Sequence, residues 1–404
     1  MSKVAVMGYG TVGSGVVEVI STNQASIAKR AGEDVTVKYV LDLRDFPGSP
    51  VEDILVKDVN VIINDPEIDV VVETMGGLHP AYEFVKSSLE AGKSVCTSNK
   101  ELVAKFGAEL LKLARENNVN FLFEASVGGG IPIIRPLKSS LTADEIEEIT
   151  GILNGTTNYI LTKMRDNGSD FDEVLKEAQE LGYAERNPEA DVEGYDACRK
   201  IAILTSLAYG RQVDFEDIYT EGITKITAED FRYADKIDAT IKIVGTSKLV
   251  NGKVSAMVAP VMIKSNNPLY GVDDVFNGIF VRGNMLGDVM FYGKGAGKLP
   301  TASAVVSDVV EAVKQKGTNI MTIWSADKQE ILPIDEAEHR FFVRVKEADG
   351  IVEHIESVFD EDITPIDVGI SGESAFITGV LKESDFKAKK AQIPEVITSI
   401  RVMF

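Results

Sequence analysis

Apolar residues recur along this chain in two periods, and the switches between them mark out most of its elements. Val4 to Met7 is a short continuous apolar run of the kind shown by a parallel strand buried on both faces. An amphipathic stretch through Val16, Val17, Val19 and Ile20 follows. Further strands are predicted at 35–41, 69–74, 94–98 and 120–123, alternating with helical segments. That βαβ rhythm predicts an α/β fold that opens with a doubly wound Rossmann domain over 1–135, completed by an amphipathic helix at 301–320. Between 136 and 300, apolar runs at 269–270, 276–281 and 289–292 are separated by turn residues, which predicts the mixed sheet of an α+β substrate domain. From 339 to 404 the order strand, helix, strand, strand, helix, strand predicts a ferredoxin-like βαββαβ module behind an acidic linker, Asp335–Glu338. The pattern leaves regulation and dimerisation both open for that tail.

Composition narrows the partners. A chain of 404 residues has room for two or three cores. A formal charge of -21 repels nucleic-acid phosphates and anionic lipid, which points to small molecules or further copies of the chain and away from nucleic acid and membrane. Two cysteines, Cys96 and Cys198, are too few for a disulfide framework. No run approaches the roughly 18 apolar residues of a membrane span, so a soluble cytoplasmic protein is expected.

The first strand leads into Gly8-Tyr9-Gly10-Thr11-Val12-Gly13, a GxGxxG turn. There Gly8 permits the tight turn, Gly10 admits a pyrophosphate to backbone N–H groups, and Gly13 allows close helix–strand packing. The second strand ends at Asp42-Leu43-Arg44, where a carboxylate suits a ribose 2′-hydroxyl and an arginine a 2′-phosphate; a solvated loop pair is the alternative. Asp42 lies further from Gly13 than the usual spacing of about 20 residues, so either the first helix is extended or the ribose contact lies elsewhere. Asn99-Lys100 falls just past a strand end, in the crevice where doubly wound sheets bind ligands.

The middle of the chain carries candidate chemistry. Glu124-Ala125-Ser126-Val127-Gly128-Gly129-Gly130-Ile131-Pro132 could hold a hard cation through one carboxylate and successive carbonyls, or serve as a plain hinge. Gly151 to Leu161 is a polar turn between apolar runs, with Thr156 and Thr157 able to cap the next helix. After Gly182-Tyr183-Ala184-Glu185, four acids precede Lys200 closely. Asp196 and Lys200 lie one helical turn apart and interrupt an apolar stripe, which favours a partly buried functional pair over a solvated salt bridge. Such an ammonium can exchange a proton with an alcohol while spare carboxylates grip a substrate ammonium. A second glycine-rich stretch, Gly293 to Gly297, opens the long helix near the end of this region.

Taken together, the turn at 8–13, Ser98-Asn99-Lys100, 124–132, 151–161 and Gly182 through Asp196 to Lys200 resemble the homoserine dehydrogenase family over roughly residues 1 to 320. The resemblance implies interconversion of L-homoserine and L-aspartate 4-semialdehyde with NADP or NAD, in threonine, methionine and isoleucine biosynthesis. It makes Lys200 the proton donor and Lys100 a second lysine beside the reacting carbon. It assigns Glu185 and Asp196 to homoserine, with Asp191 in support, and Gly10 to Gly13, Gly182 and Gly297 to the cofactor. It also implies a monovalent cation, usually sodium, on Glu124 and the carbonyls of Val127, Gly129 and Ile131, and a homodimer or homotetramer. The tail resembles an ACT domain, an amino-acid-sensing module, which implies threonine as effector. ACT domains usually carry a proline beside the first-turn glycine, where this chain has Ala348-Asp349-Gly350-Ile351. Two rival readings keep the fold. Dehydrogenases of the glucose–fructose oxidoreductase type place their lysine in Glu-Lys-Pro, unlike Asn99-Lys100-Glu101, and a non-catalytic cofactor sensor has no use for Lys200 and its carboxylates.

Overall fold

A computed structural model describes residues 1–404. The chain begins β1 (Ser2–Met7), α1 (Thr11–Thr22), α2 (Gln24–Ala31), β2 (Val35–Leu41), β3 (Leu55–Val56), α3 (Val59–Ile63), β4 (Ile68–Glu73), α4 (Ala81–Glu90), β5 (Ser94–Thr97), α5 (Lys100–Glu116) and β6 (Phe121–Leu122). It continues through β7 (Ile146–Ile152), α6 (Gly155–Asn167), α7 (Phe171–Glu180), α8 (Glu189–Val192), α9 (Tyr195–Tyr209), β8 (Arg211–Gln212), β9 (Tyr219–Thr220), α10 (Ala228–Lys236), β10 (Ala239–Val250), β11 (Lys253–Lys264), β12 (Phe276–Gly283) and β13 (Gly287–Lys294). It ends with α11 (Lys298–Lys314), β14 (Ser325–Lys328), β15 (Glu338–Lys346), α12 (Ile351–Val358), β16 (Ile363–Ile366), β17 (Glu373–Thr378), β18 (Leu381–Lys382), α13 (Glu383–Lys390) and β19 (Val396–Val402).

Two compact units form. One comprises 1–145, 202–215 and 291–329, and the other 146–201, 216–290 and 330–404.

The first unit is built on a parallel sheet of order β3-β2-β1-β4-β5-β6. Its central strands read as unbroken apolar runs because both faces are covered: Val4, Val6, Val70 and Val72 join Val16 of α1 and Ala302, Val305 and Val309 of α11 in one core. The helix expected at 301–320 is α11, starting three residues earlier. Gly15 makes its contact with α1 possible, since a Cβ there would lie 2.9 Å from the Lys298 carbonyl oxygen. The long interval between Gly13 and Asp42 is filled by two helices, α1 and α2, broken at Asn23. Strand order reverses between β1 and β4, so their carboxyl ends flank the switch-point crevice.

The second unit holds a sheet of order β13-β12-β7-β10-β11-β19-β15-β17-β16. The longest pairing is β10 with β11, antiparallel from Ala239↔Lys264 to Val250↔Lys253. The strand expected at 269–270 is instead a turn, closed by Tyr270 N–H to the Asn267 carbonyl at 3.0 Å and Val272 N–H to that of Leu269 at 3.2 Å. The tail has its βαββαβ order, with strands in the sequence β19-β15-β17-β16. It differs from the expected freestanding module in one respect. β19 pairs in parallel with β11 at Val261↔Arg401 and Met262↔Val402, so the tail extends the same sheet. Without that strand the carboxyl half of β11 would present unpaired N–H and C=O groups. Ion pairs reinforce the join: Arg344 Nη1 lies 3.0 Å from Asp230 on α10, and Arg401 Nη1 lies 2.6 Å from Glu221 after β9.

Candidate active site

In the first unit the glycine turn has the geometry its spacing predicts. Gly8 sits at φ +93, and a Cβ on Gly13 would stand 1.9 Å from the Gly8 carbonyl oxygen. Gly10 has open space where a side chain would be. It also N-caps α1 with no side-chain hydrogen bond, so the first-turn N–H groups around Thr11 and Val12 are available to a phosphate. Thr74, at the end of β4, donates its hydroxyl to the Gly8 carbonyl at 2.9 Å and locks the turn. Gly8, Gly10, Asp42, Arg44, Lys57, Thr74 and Met75 line a crevice of about 490 Å³, which suits a dinucleotide.

Asp42 is no solvated loop residue. Its carboxylate accepts the Tyr9 N–H at 2.8 Å, inside the glycine turn, and is gripped by Arg44 through Nε at 3.0 Å and Nη2 at 2.9 Å. The Arg44 hydrogen bonds hold the Asp42 carboxyl well below the usual carboxylate range, against the opposing effect of burial. Arg44 also lies over the Phe46 ring. Lys57, which the motif pattern does not reveal, donates to the Arg44 carbonyl at 2.6 Å. Lys100 occupies the first turn of α5 behind Asn99, whose side chain caps the Leu102 N–H at 3.1 Å. A lysine there opposes the helix dipole, a placement that folding alone does not favour.

The glycine-rich loop after β6 packs main chain against main chain on the second glycine-rich stretch. The Gly130 N–H donates to the Lys294 carbonyl at 3.1 Å, and a Cβ on Gly129 would stand 2.3 Å from the Gly295 oxygen. Gly297 ends that stretch as N-cap of α11. Glu124 is buried, and its carboxylate accepts the N–H groups of Ile133 at 2.6 Å, Ile134 at 2.8 Å and Arg135 at 2.7 Å. These bonds fix the path of the loop within the first unit. For a cation, Oε2 accepts only Arg135 and retains a lone pair, so with carbonyls such as those of Val127, Gly129 and Ile131 an oxygen-only donor set remains feasible.

In the second unit Lys200 and Asp196 are both buried, at 8% and 3% exposure, with Nζ 2.7 Å from Asp196 Oδ2 and 2.7 Å from the Leu153 carbonyl oxygen. Asn154 completes the cluster. Its Nδ2 donates to Asp191 at 2.7 Å and Asp196 at 2.9 Å, while its Oδ1 caps α6 at the Thr157 N–H. The expected caps Thr156 and Thr157 do not do this. Thr156 instead donates to the Tyr183 carbonyl at 2.7 Å and secures the turn that carries Gly182 and Glu185. Gly182 follows α7 at φ +75, and Glu185 is exposed.

A parallel sheet with an uncapped glycine turn at its switch point, together with a buried lysine held by a carboxylate and a main-chain carbonyl, defines a nicotinamide-dependent dehydrogenase. Residues 8–124 match the family model "Homoserine dehydrogenase, NAD binding domain", and 132–310 match "Homoserine dehydrogenase". The homoserine dehydrogenase of Bacillus subtilis is 41% identical over 89% of this chain and 85% of its own length. That of Synechocystis sp. is 40% identical over 98% and 96%. The crystal structure of a homoserine dehydrogenase from Thiobacillus denitrificans superposes with a TM-score of 0.91 at 36% identity, covering 100% of this chain and 98% of that one. A hyperthermophilic archaeal homoserine dehydrogenase in complex with NADPH gives 0.66 at 29% identity, covering 77% of this chain and 97% of its own. The chain belongs to the homoserine dehydrogenase family, and its activity is NAD(P)-dependent oxidoreduction of homoserine.

Proposed function

We propose that Lys200 exchanges the proton at the C4 oxygen, giving it as the aldehyde is reduced and taking it as the alcohol is oxidised. The observation that carries this is the hydrogen-bonded chain Asp191–Asn154–Asp196–Lys200, in which Asn154, Asp196 and Lys200 are buried. The Leu153 carbonyl and Asp196 fix where Nζ points, and a buried ammonium stabilises a developing alkoxide more than a hydrated one does. Asp196 and Asp191, with Glu185 from its exposed turn, receive the substrate ammonium, and Lys100 adds positive charge beside the reacting carbon. When bound, the nicotinamide cofactor supplies or accepts the hydride. Arg44 favours acceptance of NADP, a reading supported by the relative solved with NADPH. Initial rates of homoserine oxidation with NAD and NADP, in the native protein and Lys200→Ala, test it. Full turnover in the variant would move the proton transfer elsewhere.

The same reading gives a monovalent cation, sodium, to Glu124 and the carbonyls of Val127, Gly129 and Ile131, and a regulatory, ACT-like role with threonine as effector to 339–404. It takes 1–135 with α11 as the cofactor domain and 136–300 as the substrate and dimerisation domain of a cytoplasmic homodimer or homotetramer. An effector acts only through differential affinity for two states, so rate and thermal midpoint are to be followed across millimolar threonine. No change in either would leave the tail an assembly element.

A further inference from the structure

A second cavity, of about 400 Å³, opens within the second unit between the 219–225 segment and the tail, a size that suits one small ligand. On its tail side the Phe341 and Phe386 rings stack with centroids 3.6 Å apart, beside Lys390 and Arg401. Its other side carries Lys225 and, from the turn between α8 and α9, Glu193. The charges here are unevenly matched. Arg401 is neutralised, since it grips Glu383 through Nε and through Nη2 at 2.9 Å, and Glu221 through Nη1 at 2.6 Å. Lys390 is half-buried, and its Nζ reaches only the Ser399 hydroxyl, at 2.8 Å, which leaves two of its three N–H donors without a protein acceptor. Lys225 makes no ion pair, and neither does Glu193, whose carboxylate accepts only the Thr224 hydroxyl, at 3.2 Å. Burial holds the Lys390 amine below the usual lysine range; Glu221 opposes this, and Lys225 and Arg401 add to it. An anionic group beside Lys390 and Lys225 reverses that cost.

We propose that this cavity is an effector site for a free α-amino acid, with its carboxylate received by Lys390 and Lys225, its ammonium by Glu193, and a small side chain set against Phe386. The inference rests on the regulatory reading of 339–404, and it seats the ligand between the tail and the substrate residues rather than on the tail alone. The route to the substrate is short. The Ile223 N–H donates to the Val192 carbonyl at 2.9 Å, and a Cβ on Gly222 would stand 2.4 Å from that same oxygen, so the 219–225 segment and the α8–α9 turn move together. That turn joins Asp191 of α8 to Asp196 and Lys200 of α9. A ligand that draws Glu193 towards the tail therefore shifts the carboxylates proposed to receive homoserine, and raises KM more than it lowers kcat.

The full-length protein is to be titrated with L-threonine, L-methionine, L-isoleucine and L-lysine, by calorimetry and in steady-state rates, beside Lys390→Met, Lys225→Ala and Glu193→Gln. One of these amino acids is expected to bind and to raise the KM for homoserine severalfold. Each variant is expected to weaken that amino acid on the order of tenfold, through loss of a charge-assisted partner, while Lys390→Met and Lys225→Ala keep the effector-free kcat and KM within about twofold. Lys225 is exposed, so its variant serves even if Lys390→Met does not fold. Inhibition by threonine that is equal in the native protein and all three variants would overturn the site yet leave the regulatory reading standing. Binding of a different amino acid that the variants weaken upholds the site and removes threonine as effector. No heat and no change in rate with any of the four at millimolar concentration overturns both.

Discussion

Asn154 donates one amide nitrogen to two carboxylates, Asp191 at 2.7 Å and Asp196 at 2.9 Å, and so ties the acid expected to support the substrate to the acid that holds Lys200. Helix capping and the proposed substrate site thus meet in a single side chain.

That double duty can be divided experimentally. Asn154→Ser keeps a capping oxygen but has no amide, so its stability to urea should fall by less than that of Asn154→Ala, which loses about 1 kcal/mol with the cap. Both should raise the KM for homoserine severalfold. A KM unchanged in both variants would show that Asp191 and Asp196 do not depend on the amide.

Lys200→Ala should lower kcat on the order of a hundredfold or more, because a positioned proton donor is typically worth 10²–10⁴. Cofactor affinity, measured by direct binding, should stay near the native value. Asp196→Asn should also lower kcat, since it removes the carboxylate that holds the ammonium at 2.7 Å.

Arg44 is exposed but paired with Asp42, so a 2′-phosphate competes with that carboxylate for the guanidinium. Arg44→Ala should therefore raise the KM for NADP by roughly tenfold through loss of a charge-assisted partner and leave the KM for NAD within about twofold. An equal loss for both cofactors would make the arginine a structural brace for the Asp42–Tyr9 contact.

Acid should loosen the tail. Burial pushes the Glu383 carboxyl up, but His339 and Arg401 beside it bring it down to about 2, below the ordinary value of 4.5. A carboxyl depressed in the folded state contributes stability that is complete above about pH 4.5 and is lost as pH falls towards 2. The thermal midpoint should decline across that window, and Glu383→Gln should flatten the decline while lowering the midpoint at neutral pH. An unaltered slope in the variant would assign the acid sensitivity to other carboxylates.

The sequence is legible where local rules and tertiary context agree. The glycine turn, the strand that ends at Asp42 and the buried Asp196–Lys200 pair each follow from spacing, because each depends on residues close in the chain. The elements of the tail follow from the same periodicities. β10 is different: Thr240, Lys242, Thr246 and Ser247 are buried polar residues inside a strand covered on both faces, so neither alternation nor an apolar run marks it. Glu73 is equally hidden from the sequence, since a glutamate at a strand end normally signals solvent, whereas here it is fully buried. The Asn154 cap had a visible signal, an asparagine before Gly-Thr-Thr, obscured by two threonines that are also competent caps.

The parallel contact of β19 with β11 has a consequence for how the sheet closes. The strand that flanks Val261 and Met262 is separated from them in the chain by α11 and by most of the tail's elements. Until β19 docks, that side of β11 presents an open edge. Native pairing requires residues from distant parts of the chain to meet, which slows folding and favours recruitment of a chaperone. Removing β19 should leave the second unit bound by holdases and cut by proteases that the native protein survives.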